Sequence, residues 1–139
     1  MSKVNIKQVY RILDANFNRA KEGLRVCEDI CRYAWGDKAL TRSFKGLRHG
    51  LTQAVEGLDV LIKALAARDA SGDVGRLSTA SEFKRANLDA VFWANSQRVK
   101  ESMRVLEEIS KLISPMAAQA IKTMRYKFYV LEQKALKRR

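Results

Sequence analysis

Hydrophobic residues recur at steps of three and four positions along most of this chain, which is the spacing of an amphipathic helix. Four stretches show this period, over residues 4–35, 38–67, 84–112 and 115–137. No stretch shows the strict alternation of apolar and polar residues that is typical of a half-buried strand. The pattern therefore predicts an all-α protein with four long helices.

Turn-forming residues separate the four helical stretches. Gly36 and Asp37 interrupt the first pair, and Ser114 followed by Pro115 provides a helix N-cap and a first-turn proline between the last pair. Residues 68–83 are rich in Gly, Ser and Asp and carry no helical period. We expect a single-domain four-helix bundle over residues 1–139, made of two antiparallel hairpins (1–67 and 84–139) joined by the loop 68–83.

An internal repeat supports this division. Residues 14–30 align with residues 93–109 at an offset of 79 positions. Most of the identical pairs are polar or charged, which helix packing alone does not require; the pairs are Ala15/Ala94, Asn16/Asn95, Arg19/Arg98, Lys21/Lys100, Glu22/Glu101, Arg25/Arg104, Val26/Val105, Glu28/Glu107 and Ile30/Ile109. Arg48 and Arg125 also correspond, at an offset of 77. The sequence thus predicts two pseudo-repeated hairpins related by a two-fold axis.

The repeated polar residues are the candidate functional residues. On a helical wheel of 100° per residue, Asn16 falls inside the apolar arc and Arg19 lies on it, between Val26 and Ile30. The same holds for Asn95 and Arg98. We therefore expect arginines from all four helices, including Arg48 and Arg125, to point into the bundle. A buried guanidinium needs either a carboxylate, which Glu22, Glu28, Glu101 and Glu107 could supply, or an anionic ligand such as phosphate.

Composition narrows the class of protein. The 47% hydrophobic residues, one Pro, seven Gly and two Cys exclude a disordered chain, a collagen and a disulfide scaffold. We expect a cytoplasmic protein, because no apolar run is long enough for a membrane span or a signal peptide. The net charge of +12 favours polyanions, phosphorylated metabolites or acidic membrane surfaces as partners and does not choose among them. Cys27 and Cys31 lie four residues apart, and we interpret them as core residues rather than as a zinc site.

The predicted loop contributes two carboxylates. Asp69 and Asp73 carry the hard oxygen ligands that Mg²⁺ shares with substrate phosphates, and Gly72 and Gly75 permit close approach of the backbone. The chain has no P-loop, dinucleotide-binding or zinc-protease motif.

Several strings of this sequence resemble a known family. They are 11–16, 18–29, Leu47-Arg48-His49, Ala67-Arg68-Asp69, Gly72-Asp73-Val74-Gly75 and 104–108. They resemble the small helical module that is often fused ahead of thiamine-phosphate synthase, and the resemblance covers nearly the whole chain. It implies a phosphotransferase of thiamine biosynthesis that converts 4-amino-5-hydroxymethyl-2-methylpyrimidine phosphate into the diphosphate with ATP, and that ignores the unphosphorylated pyrimidine. The chain would be the standalone form.

Residue roles follow from chemistry and position. The predicted catalytic residues, which would clamp the phosphates, are Arg19, Arg48, Arg98 and Arg125. Asn16 and Asn95 would read the pyrimidine edge or position a phosphate, Glu22 and Glu101 would orient the arginines, and His49 completes the substrate-binding set. Asp69 and Asp73 would hold Mg²⁺. The partners are then a phosphorylated pyrimidine and a nucleotide, without a membrane, and a homodimer is left open.

Two other classes compete with this interpretation. A basic helical module could bind nucleic acid, which would require its Lys and Arg side chains to face the solvent. A structural dimerisation module would use the repeated Asn and Arg residues only to fix the helix register. The inward orientation predicted for Arg19 and Arg98 disfavours nucleic acid and carries the kinase interpretation.

Overall fold

The computed structural model of the protein describes residues 4–58, 61–79 and 84–138, with only the backbone at 61 and 62. Its helices are α1 (Ile6–Asp29), α2 (Lys38–Glu56), α3 (Leu61–Ala67), α4 (Leu88–Ser110) and α5 (Pro115–Lys137). A single π-helical turn, Ile30–Ala34, extends α1. The described residues contain no strand, so the predicted all-α bundle is confirmed.

Side-chain caps explain where the long helices begin. The side chains of Asn5, Asp37, Asn87 and Ser114 each accept a hydrogen bond from a backbone N–H three residues later. These bonds satisfy amide groups that have no partner inside the helix. Gly36 has a φ of 62°, the left-handed conformation that ends the first helical segment at little cost for glycine. The predicted turn at 36–37 and the predicted cap at Ser114 are confirmed.

Two helix boundaries differ from the prediction. The expected second helix over 38–67 is broken after Glu56, where Gly57 and Leu58 form a turn, and the chain resumes as the short helix α3. Leu65 and Ile62 belong to the apolar pattern that predicted this helix. Leu65 is 57% exposed, and the side chain of Ile62 lies outside the described residues. The third long helix begins at Leu88 rather than at residue 84.

The core consists of the apolar stripes of the four long helices. Phe44 of α2 contacts Phe92 of α4 and Phe128 of α5 edge to face, with ring centroids 5.8 Å apart in both pairs. All three rings are fully buried. Aromatic pairs in this geometry contribute attraction beyond the burial of their surface. This cluster joins the two hairpins, because α2 belongs to the first and both α4 and α5 belong to the second.

The two cysteines are core residues, as predicted. Cys27 and Cys31 are both 0% exposed and both are free thiols. Burial raises the pKa of the Cys31 thiol to about 12, and it raises the pKa of the Cys27 thiol well above its ordinary value. The nucleophilic thiolate is therefore scarce in the folded protein at neutral pH.

We expect both thiols to resist Ellman's reagent at pH 8 in the native protein. The reagent should report two thiols only after guanidinium unfolds the chain, because unfolding removes the burial that raises both pKa values. The absorbance of the released thiolate measures the reaction. Rapid labelling of the native protein would contradict the buried positions.

None of the helices in the described parts of the chain is long and apolar enough to cross a membrane.

Candidate functional site

A cleft of about 750 Å³ lies between the N-terminal half of α1 and the segment that follows α3. We call it the α1 cleft. Its polar and charged lining residues are Gln8, Arg11, Asp14, Asn16, Asn18, Arg19 and Glu22 on α1, and Arg68, Asp69 and Asp73 in the segment after α3. The volume lies in the range of small-molecule sites. The short helix α3 packs against α1, and residues of the segment 68–73 after it line the cleft.

A bidentate ion pair connects the two walls of the cleft. The Nε and Nη2 atoms of Arg68 donate to the two carboxylate oxygens of Asp14 at 2.7 and 2.8 Å. Asn18, one turn along α1, also donates to Asp14 at 3.2 Å. The hydrogen bond to Asp14 raises the pKa of the Arg68 guanidinium, so the charge on Arg68 persists at any physiological pH. This geometry fixes the start of the loop against α1.

The two loop aspartates, predicted to hold Mg²⁺, both line the α1 cleft. In each case Oδ1 accepts a hydrogen bond from a loop amide: Asp69 from the N–H of Gly72 at 2.8 Å, and Asp73 from the N–H of Gly75 at 2.9 Å. A Cβ atom at Gly72 would collide with the Asp69 carboxylate, so a larger residue there would require that side chain to shift.

Mg²⁺ is commonly held by one or two carboxylates together with substrate phosphates, and Asp69 and Asp73 fit that pattern. The described residues contain no group of three His, Cys, Asp or Glu side chains that could hold a metal ion by themselves. A Mg²⁺ ion held by these two carboxylates would complete its coordination with water or substrate oxygens.

The first triad of repeated polar residues, Asn16, Arg19 and Glu22, lines the α1 cleft, although Arg19 is oriented differently from the prediction. Asn16 is buried and its Nδ2 donates to the carbonyl oxygen of Ile12 at 2.9 Å, whereas Arg19 and Glu22 are exposed. The expected inward orientation of Arg19 is wrong, because the edge of the apolar arc on which it lies faces the cleft rather than the core. Ile12, on the same edge, is 38% exposed.

The second triad lies outside the α1 cleft. Asn95 repeats the bond of Asn16, donating to the carbonyl oxygen of Val91 at 2.8 Å, and Glu101 accepts from Gln97 at 3.1 Å. Arg98 is exposed, so its predicted inward orientation is also wrong. The inward face of α4 is already filled by apolar and small side chains, namely Phe92, Ser96, Val99, Ser102 and Met103. A functional role for this triad stays a prediction.

The arginines of the partner helices are held by carboxylates. Arg48 Nε donates to Glu28 at 3.0 Å, and Arg125 Nε donates to Glu107 at 3.1 Å. Of the alternatives that the sequence left open, the interior ion pair is present for these two arginines, and a catalytic role for either stays a prediction. His49, beside Arg48, is exposed on α2 and does not line the cleft.

Sequence reasoning missed three residues of the α1 cleft: Arg11, Asp14 and Arg68. Asp14 lies outside the apolar arc of α1, and it becomes buried because the segment after α3 covers it. One signal was present in the repeat, since the position equivalent to Asp14 in the second half is Trp93. A residue that breaks an otherwise polar repeat marks a feature that only one half possesses.

Comparison with known proteins gives a consistent family assignment. Thiamine-phosphate synthase of Nostoc punctiforme is 45% identical over 132 residues, which is 94% of this chain and 36% of that protein. The proteins of the same name from a Synechocystis species and from Rhodopirellula baltica are 41% and 39% identical, covering 95% and 93% of this chain and 37% and 34% of their own lengths.

The chain therefore spans about a third of the length of the curated relatives it matches, and the comparison links it to thiamine biosynthesis. No solved structure matches it. Residues 11–134 match the model of the ThiD2 family, from the second turn of α1 to the last turn of α5. The α1 cleft and its two walls lie almost wholly within the matched residues, and the chain belongs to the ThiD2 family.

Proposed function

We propose that this chain is a kinase that transfers the γ-phosphoryl group of ATP to 4-amino-5-hydroxymethyl-2-methylpyrimidine phosphate, with the α1 cleft as its active site. An oxygen of the acceptor phosphate forms a bond to the γ-phosphorus, and the bond from that phosphorus to the bridging oxygen breaks, leaving its electron pair on ADP. The family and the names of the relatives support a thiamine-pathway substrate. The sequence resemblance supports the phosphorylated pyrimidine as acceptor.

The observation that carries this proposal is the lining of the α1 cleft. Three guanidinium groups, Arg11, Arg19 and Arg68, share it with two loop carboxylates, Asp69 and Asp73. Phosphoryl transfer needs mainly positioning and neutralisation of phosphate charge, which is what arginines and a carboxylate-held Mg²⁺ supply. The acceptor oxygen is already anionic, so the reaction needs no strong general base. Neither His nor Cys lines the cleft.

The proposed roles follow the placement of the side chains. Arg19 binds a substrate phosphate at the mouth of the cleft, where its guanidinium is exposed. Asn16 fixes the α1 wall through its bond to the backbone. Glu22, three residues after Arg19 on α1, lines the same cleft, and its role in orienting the arginines stays a prediction. Mg²⁺, when bound with the nucleotide at Asp69 and Asp73, neutralises phosphate charge. An acceptor without a phosphate lacks the anionic oxygen that attacks the γ-phosphorus, and its alcohol would need a general base, so we expect it to be rejected.

We expect the purified chain with ATP and Mg²⁺ to release ADP in proportion to the pyrimidine phosphate supplied, and to release none with the free pyrimidine alcohol. Arg19→Gln should lower kcat/KM at least about tenfold, equivalent to about 1.4 kcal/mol of transition-state stabilisation. Its melting temperature should stay that of the wild type, because the side chain is exposed. A coupled assay of ADP and phosphorus-31 NMR of the diphosphate measure the reaction.

A matched control is Arg42→Gln on α2, which is also an exposed arginine but does not line the α1 cleft. We expect it to retain full activity. Absence of the diphosphate product with the wild-type chain would overturn the proposed function, and equal activity of the two variants would overturn the role of Arg19.

A further inference from the structure

The three arginines of the α1 cleft are not equivalent. Arg68 uses two of its nitrogens on Asp14, at 2.7 and 2.8 Å, in a pairing that occupies both carboxylate oxygens. Among the described residues, neither Arg11 nor Arg19 has a carboxylate within ion-pair distance; Arg19 reaches only the amide oxygen of Asn16, at 3.5 Å. Arg68 therefore holds the loop against α1, whereas Arg11 and Arg19 remain available to an external anion.

The charges of the cleft specify what kind of anion it takes. Once Asp14 and Arg68 neutralise each other, two guanidinium groups remain in the cleft together with three carboxylates, those of Glu22 on α1 and of Asp69 and Asp73 in the loop. A bare polyphosphate is attracted by the first set and repelled by the second. A Mg²⁺ ion shared between phosphate oxygens and the loop carboxylates converts that repulsion into attraction. The cleft is thus suited to a magnesium–phosphate complex rather than to a free anion.

The spacing of the two available arginines points to more than one phosphate. Arg11 and Arg19 are eight residues apart on the same helix, which places their Cα atoms about 12 Å apart along its axis. Both line the α1 cleft. A ligand with several linked phosphates can engage both side chains at once, whereas a single phosphate satisfies one.

From these three observations we infer that the α1 cleft is the donor site of the proposed kinase. It takes the polyphosphate chain of a nucleoside triphosphate as its Mg²⁺ complex, with Arg11 and Arg19 as the phosphate-binding residues. Arg68 is a positioning residue that acts through the loop it fixes. The assignment of this site to the phosphate donor rests on the proposed function, but the binding of a magnesium polyphosphate can be tested without any turnover.

The test is calorimetric titration of the full chain with inorganic tripolyphosphate, with and without Mg²⁺. We expect saturable binding with Mg²⁺ and at least tenfold weaker binding when the metal is chelated. Arg11→Gln and Arg19→Gln should each weaken binding at least tenfold, whereas Arg42→Gln should bind as the wild type does. Equal affinity with and without the metal, or wild-type binding by Arg11→Gln, would overturn the inference.

Loop variants separate the role of the carboxylates from that of the arginines. In Asp69→Asn the side-chain oxygen can still accept the Gly72 amide, so the turn is kept while the charge is lost. We expect the double variant Asp69→Asn with Asp73→Asn to bind tripolyphosphate with affinities that differ less than threefold with and without Mg²⁺. If the affinity still differs tenfold or more with and without Mg²⁺, the loop carboxylates do not hold the metal and this part of the inference is overturned.

The two proposals fail in different ways. If tripolyphosphate binds as described but no ADP forms with the pyrimidine phosphate, the kinase function fails and the site stands. If ADP forms and Arg11→Gln binds tripolyphosphate normally, the function stands and the placement of the donor fails.

Discussion

Replacing Glu107 by alanine should destabilise the protein by about 3–5 kcal/mol, the cost of leaving one member of a buried ion pair without its partner. Glu107 is 3% exposed and Arg125 is 8% exposed, and two nitrogens of Arg125 lie 3.0 and 3.1 Å from Glu107 Oε1. Burial acts to lower the pKa of Arg125, but its bonds to Tyr129 and Glu107 raise that pKa overall. Because the ordinary pKa of arginine lies far above neutral, the guanidinium stays charged when Glu107 is removed. Guanidinium unfolding followed by circular dichroism measures the change.

The neighbouring Glu108→Ala is the matched control. Its carboxylate pairs with Arg104 and Lys111, and all three side chains are about half exposed, so its loss should cost less than about 1 kcal/mol. The double variant Glu107→Leu with Arg125→Met removes both charges and should recover most of the stability. Equal losses in Glu107→Ala and Glu108→Ala would show that the interior pair contributes no more than a surface pair.

Local sequence signals were sufficient to predict most of the fold. Helix periodicity, the Gly36–Asp37 turn, and Ser114 before Pro115 depend on interactions within a few residues, and such interactions act in the same way in any fold. The repeat is also visible in the structure, because equivalent residues make equivalent bonds: Glu28 with Arg48 and Glu107 with Arg125, at 3.0 Å in both halves. The polar identities at a fixed offset therefore correspond to equivalent ion pairs in the structure, which is one of the two alternatives that the sequence left open.

The orientations of Arg19 and Arg98 could not be predicted in the same way. A helical wheel gives the angle of a side chain about its axis, but the fraction of that circle that neighbouring helices cover depends on tertiary packing. Here the edge that carries Arg19 is open and forms one wall of the α1 cleft. The opposite wall follows α3, after a break at Gly57 that the period of the second helix did not reveal.

The outward arginines also change the comparison with nucleic-acid binding. The sequence argument against that alternative was that Arg19 and Arg98 point inward, and both are exposed. Exposure of basic side chains no longer separates the two functions. What favours a small phosphorylated ligand is the concave shape of the α1 cleft and its loop carboxylates Asp69 and Asp73, since carboxylates would repel a nucleic-acid backbone.

Replacing Gly23 by leucine should destabilise the protein by about 3 kcal/mol or more, because it forces apart the two helices that join the halves of the repeat. A Cβ atom at Gly23 of α1 would lie 2.7 Å from Val99 Cγ2 and 3.1 Å from the carbonyl oxygen of Asn95, both on α4. Leucine adds three further carbon atoms at the same point. The equivalent position in the second half is the small, buried Ser102.

Helix propensity acts in the opposite direction and separates the two effects. Glycine inside a helix costs roughly 0.5–1 kcal/mol relative to alanine, so a substitution that meets no neighbour should stabilise the protein. Gly46, on the exposed face of α2, has nothing within 4 Å of an added Cβ atom. Gly46→Ala should therefore raise the unfolding midpoint while Gly23→Leu lowers it steeply. Wild-type stability of Gly23→Leu would mean that α1 and α4 do not meet as closely at this point as the packing requires.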